Sequence, residues 1–146
     1  MDADAARALS QGRWLVKSEP AAYGWADLER DGRTAWTGVR NNQAAIYLRA
    51  MRLGDQVLFY HSNQGLEIVG IAEVVGEAHP DATDASGRFV AVDLAPLRAL
   101  AHPVSLARMK ASPDLAQMQM FRQFRLSVIP VTPPEWTAIM ALAGEA

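Results

Sequence analysis

The sequence has no cysteine in 146 residues, which excludes disulfide bonds, thiolate catalysis and cysteine-based zinc sites. This absence is consistent with a reducing compartment. The three histidines, His61, His79 and His102, are scattered without the spacing of metal ligands. We therefore expect neither a metal ion nor a cofactor.

Long apolar runs are also missing, and no stretch reaches the roughly 20 residues that cross a bilayer. The alanine-rich residues 1–12 lack the basic and apolar layout of a signal peptide. We interpret residues 1–12 as a flexible extension and residues 13–144 as one domain. These features predict a cytoplasmic protein that binds no membrane.

Excess positive charge is absent as well, because the formal net charge is −2 and the isoelectric point is about 5.9. Proteins that grip long stretches of phosphate backbone carry an excess of basic residues. Any contact with nucleic acid is therefore expected to be local. The basic residues are nearly all arginine, whose planar guanidinium suits bidentate contacts and stacking. An arginine-rich genome is the preferred explanation of this bias.

The hydrophobic pattern predicts an α+β domain of five to six strands. The strands are expected at residues 13–18, 56–61, 66–75, 88–100 and 126–131. Helices are expected between the first two strands, at residues 23–30 and 43–52. A capping box over residues 132–135 opens a C-terminal helix. Hairpin-like connections predict a mostly antiparallel sheet, open or closed, and Gly70 predicts a bulge or bend.

Five motifs resemble, in order, those of the EVE domain family, and they cover nearly the whole chain from Trp14 onward. The motifs are WLVKSEP (14–20), WTGVRN (36–41), FYHS (59–62), VGIAEV (69–74) and RLSVIP (125–130). The resemblance implies a PUA-like β-barrel related to the YTH readers of methylated adenine and to ASCH domains. Such domains often stand alone in bacteria.

The chain departs from the family pattern on the first helix. Gly24 replaces a common serine N-cap, and Ala21 and Ala22 replace common acidic residues. We expect neither change to touch a binding pocket.

The resemblance implies non-catalytic binding of a modified base in DNA or RNA, such as a methylated or hydroxymethylated cytosine, flipped into a pocket. Trp36 is the lead candidate for stacking, because the YTH relatives place a cage tryptophan in a similar loop. Stacking of a base on an aromatic ring contributes roughly 1–3 kcal/mol. Tyr60 is the candidate for a second wall, and a core position is the plain alternative for both residues.

Polar candidates lie at predicted strand ends and at one helix start. They are Lys17, Ser18, Glu19, Arg40, Asn41, His61, Ser62, Arg125 and Ser127. The first three are expected to read a base edge, and the two arginines to contact flanking phosphates. Asn41 is expected mainly as a helix N-cap. Strand alternation places Tyr60 and Ser62 on one face and His61 on the other.

Two alternative functions stay open. Some ASCH relatives resemble small amidohydrolases that use a lysine, a hydroxyl and a glutamate, and Lys17, Ser18 and Glu73 offer these groups with a poorly matching spacing. The other alternative is a small-molecule or protein-interaction module that keeps only the fold.

The two interpretations of Trp36 predict different mutant behaviour. As a loop residue, Trp36→Ala is expected to weaken binding about 5- to 150-fold at little cost in stability. Trp25→Ala, at a predicted core position, is expected to cost about 3–5 kcal/mol of stability. Thermal melting and ligand titration separate the two outcomes.

Overall fold

Two strongly apolar strands lie side by side in the interior of the sheet. In the computed structural model, which describes residues 1–145, β1 (Arg13–Ser18) pairs in parallel with β3 (Gln56–His61). Residues 14–16 and 57–60 are all buried. Because both faces of these strands are covered, they are continuously apolar and do not alternate.

The other strands extend this pair into a six-stranded sheet in the order β2-β5-β4-β3-β1-β6. They are β2 (Thr34–Ala35), β4 (Glu67–Pro80), β5 (Val90–Ser105) and β6 (Val128–Pro130). All pairings except β1–β3 are antiparallel, which confirms the predicted α+β class and mostly antiparallel sheet. In the described part of the chain the sheet is not closed into a barrel, because the edge strands β2 and β6 do not pair with each other.

Seven helices and one 3-10 turn precede, connect or follow the strands within residues 1–145. They are α1 (Ala3–Ser10), α2 (Pro20–Tyr23), α3 (Trp25–Asp31), α4 (Asn42–Ala50), α5 (Leu106–Ala111), α6 (Gln119–Arg122) and α7 (Pro133–Leu142), with the 3-10 turn at Pro113–Leu115. None of these helices is long and apolar enough to cross a bilayer. The helix expected at residues 23–30 is divided at Gly24, whose N–H donates to the Asp27 carboxylate.

Residues 1–12 differ from the expected flexible extension, because they contain α1. The Asp2 carboxylate caps this helix by accepting from Ala5 N–H at 2.8 Å. Arg7 donates to both oxygens of Asp55, at 2.7 and 3.1 Å, and Asp55 also accepts from the Trp14 indole N–H. The sequence pattern missed this helix because its anchor lies 48 residues away.

Gly70 allows the close approach of an aromatic ring to β4. A Cβ atom on Gly70 would lie 2.6 Å from three carbon atoms of the Trp25 ring. The pairing of β4 with β5 shifts register between Ile68 and Gly70, so the predicted bulge is present. The absence of a side chain on Gly70 therefore lets the buried Trp25 pack directly on the sheet.

We expect Gly70→Ala to destabilise the fold by about 1–3 kcal/mol, because the added methyl overpacks the core against Trp25. Urea unfolding measures this cost. Trp25→Leu removes the obstructing ring, so Gly70→Ala should cost less in that background than in the wild type. Equal costs in the two backgrounds would show that Trp25 is not the reason for the glycine.

Candidate functional site

A cleft of about 270 Å³ opens where the end of β1, α2 and the edge strand β2 meet. We call it the Trp36 cleft, and it is lined by Ser18, Ala22, Tyr23, Thr34, Ala35, Trp36 and Thr37. Pockets for drug-sized ligands occupy roughly 300–1,000 Å³. The cleft therefore suits a smaller ligand, on the scale of a single heterocycle.

Trp36 is both a wall of the cleft and part of the core. Its ring lies edge-on to Phe59, with centroids 5.5 Å apart, and to Tyr23, with centroids 6.3 Å apart. Only 8% of the residue is exposed. The expectation that a loop position frees Trp36 from core packing is therefore wrong. The backbone N–H of Trp36 donates to Val92 O at 2.7 Å, which holds the residue against the sheet.

Ser18 supplies a hydroxyl group to the cleft. Its Oγ donates to the carbonyl oxygen of Tyr23 at 2.6 Å, so the lone pairs of Oγ remain available to a ligand. The Tyr23 hydroxyl donates in turn to the Asp31 carboxylate at 2.8 Å. The cleft thus combines two aromatic rings with a hydrogen-bond acceptor.

The segment that carries Trp36 is tied to a buried carboxylate on the loop after β4. Asp81 is 2% exposed and accepts from Gly38 N–H at 2.8 Å and from Arg40 Nη1 at 2.9 Å. Thr83 donates to Asp81 from its N–H and its hydroxyl. Burial alone would raise the pKa of Asp81, but these hydrogen bonds outweigh it and hold the pKa well below its usual range.

The guanidinium of Arg40 therefore bonds mainly to other residues of the protein. Besides Asp81, its guanidinium donates to the Thr83 hydroxyl at 2.9 Å. The sequence predicts that Arg40 contacts a flanking phosphate. The side chain is partly exposed, and such a contact would use the N–H donors that Asp81 and Thr83 leave free. Its observed contacts position the segment that ends at the start of α4.

Lys17 faces away from the Trp36 cleft, on the same side as Tyr60, its partner in the β1–β3 register. Its Nζ donates to Phe124 O at 2.6 Å and lies 4.6 Å from the centre of the Phe124 ring. Burial lowers the pKa of Lys17. Lys17 and Ser18, predicted as one cluster, are thus divided between the two faces of β1.

Tyr60 is fully buried and is not among the residues that line the cleft, so the structure does not place it as the second wall. Its hydroxyl has no hydrogen-bond partner within residues 1–145. Burial raises the pKa of this hydroxyl. The second aromatic wall is Tyr23, which the sequence interpretation did not select.

The other predicted polar residues form helix caps and backbone hydrogen bonds, apart from Arg125. Asn41 Oδ1 accepts from Ala44 N–H at 3.0 Å and caps α4, as expected. The exposed Glu19 accepts from the N–H groups of residues 22 and 23 through its carbonyl oxygen. Ser62 N–H donates to Ser18 O, and Ser127 O accepts from Lys17 N–H. Arg125 is exposed beside Ser127 in the turn before β6.

Ala22 was expected to lie away from any pocket, and it lines the Trp36 cleft. No local pattern in the sequence indicates this, because α2 is a separate short helix that turns Ala22 and Tyr23 toward β2. The small side chain at this position keeps the cleft open. Small residues and threonines complete the wall in the segment just before and after Trp36.

The catalytic alternative needs Lys17, Ser18 and Glu73 close together, and the structure keeps them apart. Lys17 and Ser18 occupy opposite faces of β1. Glu73 pairs with Gln56, which is opposite Arg13 at the other end of β1. Ser18 is five positions after Arg13 along the strand, a distance of roughly 16 Å. Within residues 1–145, no cluster of three or more His, Asp or Glu side chains could hold a metal ion.

His61 supports the aromatic side of the cleft from the end of β3. Its Nε2 accepts from the backbone N–H of Trp25 at 3.1 Å, which requires that Nε2 carry no proton. Its ring lies edge-on to Phe59, with centroids 5.7 Å apart. Burial lowers the pKa of His61, although Glu67 opposes this. His61 therefore caps α3 as a neutral ring.

We expect Trp36→Ala to lose about 3–5 kcal/mol of stability, as a core tryptophan does. This reverses the expectation from the loop position. Thermal melting measures this loss, with Thr37→Ala as the control, because Thr37 is an exposed neighbour that also lines the cleft. A melting temperature equal to that of Thr37→Ala would contradict the observed packing on Phe59.

We expect His61 to titrate below the usual value of about 6.5 and to carry its neutral proton on Nδ1. Because the folded-state pKa is lowered, this histidine contributes stability above pH 6.5, and the contribution is lost as the pH falls. Two-dimensional NMR of the ring nitrogens measures both properties. His79 is the internal control, because its hydrogen bond to Asp93 raises its pKa. A midpoint for His61 above that of His79 would refute this assignment.

Several known proteins are similar to this chain. A protein of Rhodopseudomonas palustris is 50% identical, with a TM-score of 0.86 over 91% of this chain and 93% of that chain. Thymocyte nuclear protein 1 of Gallus gallus is 34% identical over 90% of this chain and 69% of its own length. Human THYN1 has been solved in complex with DNA that contains 5-methylcytosine. It is 32% identical, with a TM-score of 0.86 over 92% of this chain and 98% of that chain.

The strands and the residues that line the Trp36 cleft all lie between residues 12 and 142. A family model described as the EVE domain matches residues 12–142, so the chain belongs to the EVE domain family.

Proposed function

We propose that this protein binds a modified cytosine in DNA, flipped into the Trp36 cleft, and performs no chemistry on the base. The observation that carries the proposal is the cleft itself, in which Trp36 and Tyr23 lie beside the acceptor hydroxyl of Ser18. The complex of human THYN1 with 5-methylcytosine DNA supports this class of ligand.

The polarity of Ser18 favours a base with an amino group. Its proton is committed to Tyr23 O, so Oγ acts toward a ligand as an acceptor. Cytosine and adenine present exocyclic amino groups as donors, whereas thymine presents a carbonyl oxygen at the corresponding position. A 5-methyl group on cytosine adds apolar surface that the aromatic and alanine walls can bury.

The absence of a catalytic constellation favours binding alone. Nucleophilic catalysis needs a nucleophile and a base within hydrogen-bond reach of each other. Ser18 Oγ donates to a backbone carbonyl and not to a basic side chain, and Lys17 lies on the other face of β1. The cleft can therefore hold a base, but its described side chains provide no activated attacking group.

The proposal is tested by filling the cleft from an exposed position. Ala22→Trp places a large side chain in the cleft and should weaken binding to 5-methylcytosine DNA about 5- to 150-fold, comparable to the removal of one stacked ring. Fluorescence anisotropy with methylated and unmethylated duplexes measures the affinity. Ala21→Trp is the matched control, because Ala21 is also exposed on α2 but does not line the cleft.

The wild type should prefer the methylated duplex, and mass analysis should recover the base unchanged. Equal affinity for both duplexes, or equal effects of the two tryptophan substitutions, would reject the cleft as a reader of the modified base. A hydrolysed nucleoside would favour the amidohydrolase alternative. Preference for a methylated RNA strand over DNA would retain the cleft as the base-binding site but identify RNA as the ligand.

A further inference from the structure

A second concave surface adjoins α4, the helix that follows the segment carrying Trp36 in the chain. It encloses about 210 Å³ and is lined by Asn42, Ala45, Ile46, Arg49, Arg88 and Phe89. We call it the arginine groove. It joins the exposed face of α4 to the end of the loop between β4 and β5.

The two arginines of the groove are held by neutral acceptors. Arg88 Nη2 donates to Asn42 Oδ1 at 2.9 Å, and Arg49 Nη2 donates to the backbone carbonyl oxygen of Arg88 at 3.1 Å. Within residues 1–145, no carboxylate forms a salt bridge with either guanidinium, whereas five other arginines each have such a partner. Two positive charges therefore face one groove without compensation.

The acidic residues of the adjoining loop do not neutralise these charges. Asp81 accepts from Gly38, Arg40 and Thr83, and Asp84 accepts from Ser86 and from the N–H of Phe89. Both carboxylates are thus used to shape the loop. Seven of the twelve arginines have no carboxylate partner within residues 1–145, and Arg49 and Arg88 are two of these seven that share one groove.

Phe89 orients one of the two groove arginines before any ligand arrives. The guanidinium carbon of Arg88 lies 5.1 Å from the centre of the Phe89 ring. Arg40, which pairs with Asp81 and does not line the groove, lies 5.4 Å from the same ring centre. A guanidinium held against a ring loses less conformational freedom on forming hydrogen bonds than a free one does. Of the five N–H donors of Arg88, one is used by Asn42, which leaves several for an anion.

From these interactions we infer that the arginine groove binds backbone phosphates of the same nucleic-acid strand whose base enters the Trp36 cleft. This inference rests on the proposed function. Asn42 in the groove is five positions after Thr37 in the cleft, so their Cα atoms are at most about 18 Å apart. With a rise of about 3.4 Å per nucleotide, the bound phosphates lie within roughly five nucleotides of the flipped base.

The test is a salt titration of binding to a duplex that contains 5-methylcytosine. Arg88→Ala and Arg49→Ala should each weaken binding about fivefold and reduce the salt slope by about 0.9 for each phosphate that is no longer neutralised. Both residues are exposed, so melting temperatures should not change. The effect should be the same for methylated and unmethylated duplexes, because phosphate contacts carry no base information.

The matched control is Arg108→Ala, which removes the same charge from α5, an element that lines neither the cleft nor the groove. Free 5-methyldeoxycytidine, which has no phosphate, should bind equally well to the wild type and to Arg88→Ala. If Arg88→Ala and Arg49→Ala match Arg108→Ala in affinity and slope, the groove is not a phosphate site, even where Ala22→Trp still weakens binding.

The two proposals fail in different ways. Loss of preference for the methylated duplex with retained effects of Arg88→Ala rejects the base cleft and keeps the groove as a nucleic-acid surface. Absence of any binding to duplex or single-stranded DNA by the wild type overturns both. Arginine effects that occur only with an acidic peptide, and not with DNA, would reassign the groove to a protein partner.

Discussion

The buried carboxylate of Asp81 holds the segment on which both candidate surfaces depend. A buried charge is tolerated only when hydrogen bonds replace its lost water, and Asp81 receives them from Gly38, Arg40 and Thr83. On one side of this anchor, Trp36 and Thr37 line the cleft, and on the other side α4 carries the arginine groove. One ionised group therefore ties down the segment that links the two surfaces.

The aromatic side of the cleft belongs to the hydrophobic core, so recognition and stability are not separable there. Phe59 lies 5.5 Å, centroid to centroid, from both Trp25 and Trp36. Gly70 admits Trp25 to the sheet, and His61 accepts the N–H that begins α3. A wall supported by this much packing keeps its shape without a ligand, which lowers the entropic cost of binding.

Local signals in the sequence predicted the local structure well. The apolar run at residues 56–61 corresponds to β3, and the capping residue Asn41 forms its predicted bond. The burial of Trp36 and the anchoring of α1 by Asp55 depend on residues distant in sequence, which no local pattern reveals. Strand alternation separates Lys17 from Ser18, but their adjacency in a familiar motif favoured treating them together.

The edge strand β2 has only two residues, Thr34 and Ala35, paired with Leu94 and Asp93 of β5. Short edge strands open locally at a free energy well below that of global unfolding, because few hydrogen bonds must break. The outer wall of the cleft can thus detach while the β1–β3 pair stays intact. We therefore expect amide protons of β2 to exchange with solvent long before those of β3. The width of the cleft would then fluctuate, and the apparent affinity for a ligand would depend on the fraction of molecules in the binding-competent state.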